Sequence, residues 1–212
     1  MSDAPSWQFS VYAMCWAFAT YFCMYAFRKP FGAATFEGLE FLWGINLKTA
    51  FVIGQTIGYT LSKYYGCKYC SEIGRNQQAK ALVLMIVIAE AALLGFALLP
   101  GNLKVLAIFI NGLPLGMVWG LVSRYLEGRK TAELLFAGLS CSYIVASSSV
   151  KTIGGWVMQS GVTEFWMPAT VGAVFFIPFV IAVFFLNQLP EPSTADISSR
   201  SERTVMDRGS RS

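Results

Sequence analysis

Ala17–Phe31 reads AFATYFCMYAFRKPF, an apolar run closed by an arginine and a lysine. Read as a helix, it sets Tyr21, Tyr25 and Arg28 at i, i+4 and i+7, on one face. An ionisable group at mid-bilayer costs roughly 2.5–3.5 kcal/mol on insertion scales, so such residues face a protein interior or a watery cavity. This stripe is the candidate binding surface, and the rest of the chain must build a cavity around it.

Working outward, the 212 residues are 55% hydrophobic and only 13% charged. Soluble domains carry about 25% charged residues. The chain therefore reads as an all-α, polytopic membrane protein with six transmembrane helices. The spans fall at about 7–33, 47–66, 80–99, 104–126, 132–158 and 163–187, each near the roughly 20 residues that a bilayer demands. Residues 1–189 would form one bundle. Pro30 lacks an N–H and clashes one turn back, which predicts a kink in the first span beside Arg28. Gly112, Gly116 and Gly120, four residues apart, predict a close approach of two helix backbones. Residues 190–212 (PEPSTADISSRSERTVMDRGSRS) are polar and Ser/Arg-rich, and read as a disordered cytoplasmic tail or interdomain linker.

Loop charges set an orientation. Lys68, Arg75, Lys80, Arg124, Arg129, Lys130 and the tail arginines fall on one side, Lys48 and Lys104 on the other. The positive-inside rule then places both termini in the cytoplasm. The N-terminus has no basic n-region, so no cleavable signal is expected.

Several function classes drop out. The chain has no histidine, which removes the common proton shuttle and the Ser-His and Cys-His pairings. Cys67-Lys-Tyr-Cys70 is a lone CxxC without a second pair, so plain thiols are expected in place of a metal site. No GxxxxGK[ST], GxSxG or paired-carboxylate pattern occurs. The reading is of a non-enzyme with no cofactor. Basic residues at span ends rather than in one patch argue against a nucleic-acid partner.

What remains is anion chemistry. Arg28 and Lys63 stand on consecutive antiparallel spans, where both could approach one anion. Arginine offers a planar donor fork and lysine a mobile point charge. The plainer reading is that both snorkel to their nearer interfaces, with Tyr21 and Tyr25 as packing aromatics. Glu90, the one acid well inside a span, reads as a counter-ion for Lys63, Arg28 or Lys151 in preference to a proton-coupling carboxylate. Lys151 reads as a third cavity cation or an interfacial anchor.

The six-span layout with both ends inside resembles the N-terminal half of a major facilitator superfamily transporter. The first span resembles the organophosphate:phosphate antiporters, which carry a Tyr-x3-Tyr-x2-Arg-Lys stripe matched by Tyr21, Tyr25, Arg28 and Lys29. Their helix-2 Ser-Lys pair is matched by Ser62-Lys63, and Gly116-Met-Val-Trp119-Gly resembles their helix 4. Gly58 to Arg75 resembles the superfamily's helix 2–3 signature, with Ser71-Glu72 where Ser-Asp is usual. The resemblance implies phosphate binding by Arg28 and Lys63. The chain departs from the group in lacking a helix-5 histidine, Ser147 lying in that region.

The expectation is a secondary transporter, or its N-terminal half, moving a small organic anion such as a phosphate ester by alternating access. Its partners would be the bilayer of a bacterial cytoplasmic membrane and a second six-helix half, in the same or a separate chain. A transporter-like sensor of a phosphorylated ligand and a structural subunit with no ligand are the alternatives.

Overall fold

Six helices carry the chain: α1 Ser6–Tyr25, α2 Leu47–Glu72, α3 Arg75–Leu98, α4 Leu103–Leu126, α5 Ala132–Gln159 and α6 Met167–Asn187. They are seen in a computed structural model that describes residues 6–190. From residue 191 on, the predicted tail lies outside the described residues. The described residues hold no β-strand, only an isolated bridge between Glu40 and Asn46. By length and composition, α3, α4, α5 and α6 are each able to cross a membrane.

The first helix breaks where a kink was expected. Pro30 has no N–H to give to Ala26, and α1 ends at Tyr25. The chain then turns through Arg28 N–H to Tyr25 O (3.0 Å) and Lys29 N–H to Tyr25 O (2.9 Å). Pro30–Ala33 follow as a 3-10 turn. The second helix runs past 66 to Glu72, started by Asn46, whose side chain accepts from Lys48 N at 2.9 Å.

Side-chain bonds fix the helix directions. Ser10 near the start of α1 reaches Thr131 at the start of α5, and Tyr12 donates to Phe185 O at the end of α6. Gln78 at the start of α3 meets Leu121 O late in α4, and Tyr125 at the end of α4 meets Asn187 at the end of α6. Arg124 donates to Cys70 O and Ile73 O at the end of α2. Successive helices therefore alternate, and the basic residues gather at one end. There they take up carbonyls at a helix end and just beyond one: Arg129 holds Tyr125 O of α4 and Pro190 O, and Arg75 holds Leu189 O, the last two past the end of α6.

Around the bundle the packing order is α5, α1, α6, α3, α4, α2. Exchanging helices 1, 2 and 3 for 4, 5 and 6 leaves that order of pairings unchanged. The α2–α4 seam is the tightest. A Cβ on Gly112 would stand 2.5 Å from Gln55 O, and one on Gly116 2.6 Å from Tyr59 O, so only glycine lets these backbones touch. This is the close approach predicted from the glycine spacing. The ring stays open between α5 and α2. Consecutive α1 and α2 do not pack along each other, and α4 lies behind the gap.

At the end opposite the arginines, Phe36 plugs the bundle. It is fully buried at φ +53°, edge-on to Phe51 (5.2 Å) and tilted on Phe165 (5.3 Å). The Glu164 carboxylate holds its segment, accepting from Thr35 N and Oγ1 (both 3.3 Å) and Phe36 N (3.1 Å).

Candidate functional site

A helix that stops leaves carbonyls without partners, and inside a membrane these cost several kcal/mol each by order of magnitude. Two buried amides meet that need where α1 ends. Gln55 Nε2 donates to Arg28 O (3.0 Å) and to Asn111 Oδ1 (2.8 Å). Asn111 Nδ2 donates to Phe27 O (3.1 Å) and Ala89 O (3.0 Å). Asn111 is 0% exposed, so α2, α3, α4 and the turn that follows α1 meet on one side chain. The backbone of Phe27–Arg28 is thereby fixed.

From that anchored backbone the Arg28 guanidinium crosses the gap to α2. It lies 3.9 Å from the Tyr59 ring centroid and 5.8 Å from that of Tyr25. Lys63 Nζ lies 4.9 Å from the same Tyr59 ring. One aromatic ring thus gathers both predicted cations, in contacts worth roughly 0.5–2 kcal/mol each. Tyr21 stands edge-on to Tyr25 (5.6 Å) and to Trp119 of α4 (5.1 Å), and its phenol meets that of Tyr59. Arg28 is half-buried, and its Nε is buried without a hydrogen-bond partner. Lys63 is exposed and lines a cavity of about 160 Å³ with Gly66, Cys70, Gly116, Met117 and Trp119. Cys70 Sγ donates to Met117 O of α4 at 3.7 Å. The Arg28 guanidinium also meets the Tyr25 phenol, and its remaining in-plane donors point past the ring toward where an oxyanion could sit.

The structure separates Glu90 from these cations. Its Oε2 is buried without a partner, against Gly172 of α6 and beside Phe27. Among the described residues Glu90 forms no ion pair with Arg28, Lys63 or Lys151, so the expected counter-ion role is not formed. The reason is geometric: α3 turns Glu90 into its seam with α6, where Gly172 leaves room, while Arg28 turns the other way to α2. Lys151 is drawn to the site's edge. Its Cε lies 3.3 Å from where a Gly32 Cβ would stand, over the turn that Lys29 begins.

Residues 30–212 match the model of a family of unknown function, DUF5690. The chain belongs to DUF5690. No curated protein and no solved structure matches it. The match to DUF5690 takes in Tyr59, Lys63, Glu90, Asn111 and Lys151, whereas Tyr21, Tyr25 and Arg28 precede it. Sequence reasoning left Tyr59, Asn111, Trp119 and Lys29 without a place in the site. Tyr59 carried a usable signal, standing at i−4 from Lys63 on the same helix face. Asn111 carried none, because its partners come from two other helices and from the turn after α1.

Proposed function

We propose that this DUF5690 chain is a secondary transporter, or the N-terminal half of one, for a small organic anion such as a phosphate ester. The reading rests on one observation above the others. Arg28 and Lys63 converge on Tyr59 beside an open gap, and neither forms an ion pair among the described residues. Two cations held together without a carboxylate call for an anion from outside. The exchange symmetry of the helix packing supports the reading, since transporter halves of this kind are built from inverted three-helix repeats. In this reading the chain lies in a bacterial cytoplasmic membrane with both termini inside. A second six-helix half rocks against it, with the anion between.

Uptake of labelled phosphate esters and carboxylates into proteoliposomes, for wild type and Arg28→Ala, tests this. Saturable uptake lost in Arg28→Ala supports transport. Binding without uptake replaces the carrier by a sensor. Binding indifferent to Arg28→Ala leaves a structural subunit.

A further inference from the structure

The break in α1 does more than present Arg28. The turn Pro30–Ala33 is seated on α5: a Cβ on Gly154 would stand 3.4 Å from both Pro30 O and Ala33 Cβ. Gly154 is buried there, and Lys151, one turn earlier on α5, lays its side chain across Gly32. Lys29 begins this same turn, and its O accepts from Gly32 N at 3.0 Å. Lys29, in the turn after α1, and Lys151, on α5, are thus brought to one turn, and the like charges of Arg28 and Lys151 both bear on Lys29. No ion pair relieves them among the described residues, and Glu90 is turned away toward α6. The pair lies on the α5 side of the gap, while Lys63 lies on the α2 side.

We infer that Lys29 and Lys151 form a second anionic subsite, so that the ligand carries two separate anionic groups, one at Arg28 and Lys63 and the other over the Pro30–Ala33 turn. This rests on the anion-site reading above and narrows it to bis-anions: dicarboxylates, phosphorylated carboxylic acids or bisphosphates. A ligand with one charged end would leave the Lys29–Lys151 repulsion standing. A ligand with two would relieve both cation pairs at once.

The test uses matched probes that differ by one carboxylate: ethyl phosphate against phosphoglycolate, and butyrate against succinate. Affinities are measured on the purified full chain by titration calorimetry. In wild type the bis-anion of at least one pair should bind tighter by about tenfold or more, the gain of one further charge-assisted contact. In Lys29→Gln and Lys151→Gln that ratio should fall toward one, and in Lys29→Arg and Lys151→Arg it should return. Arg28→Gln should weaken both members of a pair and keep the ratio. A wild-type ratio near one in both pairs, or a ratio that survives both glutamine variants, overturns the second subsite alone. Affinities unmoved by Arg28→Gln, or no binding by any probe, overturn the anion site itself. Thermal unfolding without ligand identifies any variant that fails to fold, and the arginine variants then carry the comparison.

Discussion

Asn111 shows how much one side chain can hold in this bundle. It is fully enclosed and spends its amide on Phe27 O, Ala89 O and Gln55 Nε2. Asn111→Leu fills the same space without those bonds, and each polar group it orphans costs about 1–3 kcal/mol. The expected result is a marked fall in thermal stability together with weaker anion binding, because Arg28 loses its fixed backbone. Asn111→Gln would not rescue either property, since its longer side chain does not fit a closed site. Glu90 predicts the opposite sign. A buried carboxylate oxygen without a partner gains nothing from charge. Glu90→Gln keeps shape and removes charge, so thermal unfolding in detergent should match or exceed that of wild type. A drop of several degrees would reveal an ion partner for Glu90 and restore the counter-ion reading.

Between elements, the α2–α4 seam is where packing is least forgiving. The obstacles to a Cβ on Gly112 and Gly116 are the backbone atoms of Gln55 and Tyr59, which cannot swing aside like a side-chain tip. Gly112→Ala and Gly116→Ala should each destabilise by about 1–3 kcal/mol, the range for an overpacked core. Gly155→Ala, with open space around its Cβ, is the control that should not, and thermal unfolding reads all three. The outer clasp is looser and shows itself differently. Without its carboxylate, Glu164→Ala should speed amide exchange at Thr35 and Phe36 while exchange in α3 and α4 stays slow. These contrasts also mark what could be read from the chain alone. Helix positions and the glycine seam follow from local patterns, apolar runs and four-residue spacing, and both are present in the fold. The end of α1 at Tyr25 was half legible: Pro30 announced a disturbance, but a break is stable only because Gln55 and Asn111, far along the chain, take up the freed carbonyls. Glu90's separation from Arg28 was not legible at all. It depends on which way α3 faces, and Gly172 on α6 makes the room that decides it.

For the whole molecule, the basic residues bear twice on which end faces the cytoplasm. Arg75, Arg124 and Arg129 stand at one end by sequence, and there they hold carbonyls at the ends of α2 and α4 and in the chain just past α6. Removing them to test the positive-inside rule would therefore uncap helices as well as shift charge, and a change of topology could not be told from misfolding. Accessibility separates the two. Asn102 and Glu127 are both exposed and sit at opposite ends of α4, neither making a side-chain hydrogen bond across the bundle. In a chain whose five cysteines are replaced by serine, Asn102→Cys should react with a membrane-impermeant maleimide on intact cells. Glu127→Cys should react only once the membrane is opened. The reverse pattern would turn the bundle over and place the arginine end outside, against the charge rule. Equal labelling of both on intact cells would mean that α4 does not cross the membrane at all, and the proposed transport through the gap between α5 and α2 would then have no two compartments to connect.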